Sequence, residues 1–249
     1  MIYWLWLSGI QGVGPCTFKK LIERFGSPKE VFGASYDDLV SVRGISDKLA
    51  NRITTEASLE YAEALMNECD RMHINIVKMN DDNYPKRILE LSDAPPVLYY
   101  KGTLFEPEMT SGIVGPRRCT QETKEKTIGI ACKCIEKGMV IVSGMARGVD
   151  GYAHTTAVLH DAKTIAIVGS GLDMCFPKEH ELLFEKIQNG GYVISEYAPG
   201  VPPMSFHFPR RNRLIAAMSD ELYVVEVQRN SGALITARLV KEAGKSCHV

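Results

Sequence analysis

No excess of positive charge marks this sequence: 29 Lys and Arg stand against 30 Asp and Glu in 249 residues, a net charge of −1. A protein-wide positive field is therefore excluded. Any anion-binding surface must be a local gathering of Arg and Lys, offset by acid elsewhere. Long apolar runs are missing too. None approaches the roughly 20 residues that a membrane helix needs. The apolar residues 1–10 lack both a basic flank and a small-residue cleavage site. The chain reads as soluble and cytoplasmic, with no membrane partner.

Cysteine is present, but not in a metal-binding arrangement. The 7 cysteines are an odd number. Cys132 and Cys134 form a CxC in a helix-period segment, where their side chains diverge, while Cys119 and Cys175 stand alone. Free, mostly buried thiols are expected, with no disulfide framework and no metal. Catalytic signatures are absent as well. The sequence has no GxxxxGK[ST] loop, no GxSxG elbow and no HExxH helix, which argues against P-loop ATP hydrolysis, elbow-type hydrolases and zinc-helix hydrolases. No catalytic residue and no cofactor is expected.

What is present is an ordered alternation. The first 70 or so residues read as short helices, with Phe18, Leu21, Ile22 and Phe25, then Leu59, Ala62, Leu65 and Met66, at helical spacing. Residues 74–77 read as a strand, followed by a polar, proline-containing stretch and then the apolar run 97–100. From Gly112 onward, β-type apolar runs (113–114, 139–142, 164–168, 192–194 and 221–227) alternate with helix-period segments (121–136, 150–159, 179–188, 212–218 and 233–242). That alternation predicts an α/β fold, a parallel sheet with helices on both faces. Two domains follow, a helical one over 1–75 and an α/β one over 76–249. Residues 245–249 begin a further strand, as though the domain were truncated at its C-terminal end.

In open α/β sheets ligands bind outside the carboxyl ends of the strands, so the βα loops are the place to look for chemistry. They hold Arg117 and Arg118; Ser143, Gly144, Arg147 and Gly148; Gly169, Ser170 and Gly171, then Phe176 and Lys178; Arg210, Arg211, Asn212 and Arg213; and Ser231 with Gly232. Glycines let backbone N–H groups approach an anion, and helix N-termini add partial positive charge. Hydroxyls donate, and the arginine fork can bind two phosphate oxygens at once. Repeated along one sheet edge, these features make a phosphate-binding surface.

Other residues have plainer readings. Gly169-Ser-Gly171 starts like a dinucleotide fingerprint, but Met174 occupies the position of its last glycine. Asp150 reads as a helix cap, His154 as a packing residue, and Glu226 as an orienting group for a neighbouring arginine or loop. Asp173 and Glu196 are carboxylates that no spacing brings together.

These segments resemble the DprA/Smf DNA-processing family. The resemblance rests on Ile113-Val-Gly-Pro-Arg-Arg118, Ser143-Gly-Met-Ala-Arg-Gly-Val-Asp-Gly-Tyr-Ala-His154, Gly169-Ser-Gly-Leu-Asp173 with Phe176-Pro-Lys178, Ser195-Glu196, His207-Phe-Pro-Arg-Arg-Asn-Arg213 and Ser231-Gly-Ala-Leu-Ile-Thr-Ala237, in the family's order. It implies an extended Rossmann-like core behind a small SAM-like, helix-hairpin-helix domain. It also implies a non-enzymatic, homodimeric protein that binds and protects single-stranded DNA and loads RecA onto it in natural transformation and recombination. By motif position it places DNA contacts at Arg117 and Lys178, a base-stacking partner at Phe176, backbone donors at Gly169–Gly171, and Arg147, Arg210, Arg211 and Arg213 in the same pocket. The chain departs from the family at Ser46, where the second hairpin usually has glycine. It also departs after Val249, where the family's core continues and many members add a winged helix. The alternative is a nucleotide phosphoribohydrolase of the lysine-decarboxylase-like type, which would release free base from nucleoside monophosphates. Its PGGxGTxxE loop is not matched by Glu226-Val-Gln-Arg-Asn-Ser-Gly232.

Overall fold

The computed structural model describes residues 1–226 and 232–249. The chain forms two compact units, residues 1–84 with 89–98, and residues 85–88 with 99–249.

The first unit holds six helices, α1 (Ile2–Gly9), α2 (Pro15–Phe25), α3 (Pro28–Phe32), α4 (Tyr36–Val40), α5 (Asp47–Thr55) and α6 (Glu60–Arg71), followed by β1 (Asn75–Lys78). Local signals set their ends. Helix α2 starts with Pro15 at a position that needs no N–H, and it stops at Gly26, whose φ of 87° favours a residue without Cβ. The Ser27, Ser35 and Ser46 side chains cap α3, α4 and α5. Ser46, the departure from the hairpin pattern, thus has a structural task, since its hydroxyl accepts the Leu49 N–H at 3.3 Å. The buried faces carry Leu5, Leu7, Phe18, Leu21 and Ile53. Trp6 packs edge-on against Phe32 at 4.9 Å.

After the short helix α7 (Lys86–Leu89), the second unit contains β2 (Val97–Gly102), β3 (Thr110–Val114), α8 (Gln121–Glu136), β4 (Val140–Ser143), α9 (Val149–Leu159), β5 (Thr164–Val168) and a 3-10 turn at Lys178–His180. It continues through α10 (Glu181–Gly190), β6 (Tyr192–Ser195), α11 (His207–Met218), β7 (Glu221–Val224), α12 (Gly232–Glu242) and β8 (Ser246–His248). Its strands lie in the order β2-β6-β5-β4-β3-β7-β8. Only β2 runs antiparallel, with Tyr100 opposite Ile194; the others are parallel. Strands β3, β4, β5 and β6 are buried throughout, which requires cover on both faces of the sheet. Ile113 and Ile141 pack with Ala131 and Cys134 of α8 and with Val149, Ala153 and Ala157 of α9. All seven cysteines are free thiols. No helix of the described residues is long and apolar enough to cross a membrane.

One boundary differs from its expectation in a way that matters for function. Helix α11 begins at His207, five positions before the expected start at 212. Pro209 falls in its first turn, where a missing N–H breaks no intrahelical bond. The Arg210–Arg213 run is therefore helical rather than a loop.

His154 packs, as its plainer reading held. It is fully buried in α9. Its Nδ1 lies 2.7 Å from Thr164 Oγ1, and that hydroxyl donates to the Ile141 carbonyl at 2.9 Å. Burial, followed by the charges of His180 and Arg211, pushes the imidazole down to about 3. An unfolded chain binds this proton below pH ~6.5 and the folded one does not, so the stabilisation is complete above pH ~6.5 and declines as pH falls. Urea titrations should show a loss of about 1.5 kcal/mol between pH 6.5 and 5. The His154→Asn variant should lose most of that slope; an unchanged slope would contradict the assignment.

Candidate nucleic-acid interface

The chain lays down β3, β4, β5 and β6 outward in one direction, then returns to place β7 on the other side of β3. This is a topological switch point, where the crevice of an open α/β sheet is expected. A groove of about 600 Å3 lies there, walled by Arg117 and Arg118 of the loop after β3, by Phe208, Arg211 and Asn212 of α11, and by Thr236 of α12. Two more cavities adjoin it. One, of about 160 Å3, is lined by Gly144, Arg147, Gly169, Phe176 and Phe208. The other, of about 310 Å3, is lined by Arg147, Tyr152 and Glu179. Arg117 forms part of the wall of all three.

Arg117 is exposed. Its Cζ sits 5.3 Å from the centroid of the Phe208 ring, and Phe208 in turn stacks on Phe176, with centroids 5.8 Å apart and planes 29° from parallel. Phe176 is 47% exposed. A cation on an aromatic face, next to a second accessible ring, can take a phosphate and a base side by side. Phe208 was not among the residues expected from sequence; its signal is an aromatic residue placed directly before Pro209-Arg210.

The other cations divide by their partners. Arg118 and Lys178 are exposed and, like Arg117, make no ion pair among the described residues. Lys178 opens the 3-10 turn and lies in none of the three cavity walls. Arg147 is exposed but forked onto Glu179. The arginines of α11 splay, because successive helical residues point about 100° apart. Arg210 faces outward with Glu196 at 3.7 Å. Arg213 is held by the buried Glu196 at 2.7 Å. Arg211 turns inward: its Nη1 donates to the carbonyls of Gly144 and Ile167, just past β4 and near the end of β5. Burial pulls its guanidinium down to about 10 and pushes the nearby Asp150 carboxyl up. Asn212 donates to the Gly232 carbonyl at 3.0 Å.

The glycines and serines of these loops are mostly engaged by the protein itself. Ser143 Oγ donates to the Ile113 carbonyl at 2.6 Å. A Cβ on Gly144 would lie 2.5 Å from the Arg211 guanidinium, and one on Gly148, where φ is +73°, would lie 2.3 Å from the Pro116 carbonyl. The Gly171 N–H is taken by the Val201 carbonyl at 2.9 Å. The Gly169 carbonyl meets His207 Nδ1 at 3.1 Å, and the Ser170 carbonyl accepts from Ser195 Oγ at 2.7 Å. These residues hold the rim in shape, so the expected backbone donation to phosphate has at Gly171 an internal partner instead. Gly232 opens α12; Ser231 lies outside the described residues.

Three acids also find partners. Asp150 does not cap α9, whose N-cap is Gly148; its carboxylate accepts the Ala146 N–H at 3.2 Å. Asp173 accepts the Gly200 N–H at 2.9 Å. Glu226 accepts from Thr123 Oγ1 at 2.7 Å. No grouping of His, Cys, Asp and Glu among the described residues could hold a metal ion.

Known proteins agree with this architecture. Residues 7–58 match the model of a SAM-like helix-hairpin-helix tandem, and residues 75–249 match that of DNA recombination-mediator protein A. Protein Smf of Synechocystis is 35% identical over 96% of this chain, which spans 62% of that relative's length. The X-ray structure of DNA processing protein A from Streptococcus pneumoniae superposes with a TM-score of 0.79 at 30% identity, over 99% of this chain and 84% of that one. DNA processing protein A from Helicobacter pylori, solved for its single-stranded DNA binding mode, superposes with a TM-score of 0.64 at 32% identity, over 71% of this chain and 80% of that one. The chain therefore belongs to the DNA recombination-mediator protein A family, the DprA/Smf DNA-processing proteins.

Proposed function

We propose that this chain binds single-stranded DNA along the carboxyl-end rim of its sheet, protects it, and passes it to RecA during recombination and natural transformation. In this reading it acts in the cytoplasm, as a homodimer, and carries out no chemical step. The observation that carries the proposal is the row Arg117–Phe208–Phe176 at the meeting of three cavities. An unpaired base offers a free face to an aromatic ring, whereas a base inside a duplex has both faces covered by its neighbours. A cation set beside such a ring therefore favours single strands with little sequence preference. The single-stranded DNA binding of the Helicobacter pylori relative supports the same reading.

A gel shift with single-stranded and duplex oligonucleotides at two salt concentrations tests it. If about four phosphates are neutralised, log K should fall with log salt at a slope near −3, with the single strand preferred. A slope near zero, or equal affinity for duplex, would overturn the proposal.

A further inference from the structure

The Arg147–Glu179 pair is unlike the other ion pairs at the rim. Glu196 is 4% exposed and fixes Arg213 within the fold. Arg147 and Glu179, by contrast, are 62% and 51% exposed, and an ion pair so open to water adds little to stability. Its geometry is nonetheless that of anion recognition: Nε donates to one carboxylate oxygen and Nη2 to the other, the second at 2.7 Å. The same planar fork fits two oxygens of a phosphate. Both residues wall the cavity that also contains Arg117.

We propose that Glu179 is a built-in competitor for phosphate at Arg147, so that a bound strand must displace a carboxylate to reach that guanidinium. The inference rests on the single-strand reading above and adds to it a phosphate subsite and the residue that guards it. Displacement leaves Glu179 without its cation beside a new negative group, and a salt cation is taken up there. That uptake cancels part of the counterion release that accompanies phosphate neutralisation, so the native protein binds more weakly, and with a shallower salt dependence, than its arginines alone would give.

The test is anisotropy of labelled oligo-dT over a range of salt concentrations with the full chain. Glu179→Gln keeps the side-chain size and removes the charge. It should bind about three- to fivefold tighter at moderate salt, with a salt slope steeper by at most about 0.7. In an Arg147→Ala background the same substitution should change affinity by less than about twofold. Glu185→Gln, an equal charge change on the exposed surface of α10, should also stay within about twofold. An unchanged Glu179→Gln affinity, a gain that persists without Arg147, or an equal gain from Glu185→Gln would each overturn the inference. Absence of salt-dependent binding by the unmodified chain would instead sink the single-strand reading itself, and it shows in that arm alone.

Discussion

Replacing Arg117 by alanine is expected to weaken binding of oligo-dT by about 10- to 100-fold while leaving the melting curve almost in place. A charge-assisted hydrogen bond to phosphate is worth roughly 1.5–3 kcal/mol, which is that range of affinity. The guanidinium also covers one side of Phe208, so its loss removes a neighbour of the proposed stacking platform. Arg117 is exposed, and exposed substitutions away from special features shift stability by no more than about 0.5 kcal/mol. The salt slope should become shallower by about 0.7, the contribution of one phosphate on a single strand. Lys178→Ala should lower the slope similarly, with a smaller change in affinity, because Lys178 is outside the three cavity walls. An Arg117→Ala protein that binds like the parent would remove the rim from the DNA-binding reading.

Arg211→Ala is expected to do the opposite, destabilising the second unit by about 3–5 kcal/mol and lowering its melting temperature by roughly 10 °C. Arg211 is 4% exposed. Its removal leaves the Gly144 and Ile167 carbonyls without their donor and the buried Asp150 carboxyl without the nearby positive charge. Arg211→Lys should recover only part of the loss, since an ammonium is a point charge and cannot reproduce the planar fork. A thermal melt distinguishes the two arginines, the first proposed to meet the ligand and the second belonging to the frame that presents it. Unchanged melting of Arg211→Ala would show that the inward guanidinium is dispensable and reopen Arg211 as a ligand contact.

Much of this molecule could be read from short stretches of chain. The helix expected over 121–136 is α8 to the residue, because Thr120 caps it and its period is unbroken. The run 164–168 is β5. Arg117, Arg118 and Arg147 could be placed at one edge of the sheet because each follows the carboxyl end of a parallel strand. The early start of α11 was hidden by Pro209, which breaks a helix interior but is tolerated in a first turn.

Which elements form, how they alternate into a parallel sheet, and at which edge cations collect are all written in the order of the residues. These depend on the period of apolar residues and on caps within a few positions. Which of those cations face solvent depends instead on contacts made across the fold. Arg211 meets carbonyls 67 and 44 positions away, Arg147 a carboxylate 32 positions away, and Arg213 one 17 positions away. A charge is committed or available according to what the fold brings within about 3 Å of it, and residues that distant along the chain leave no local signal of their meeting.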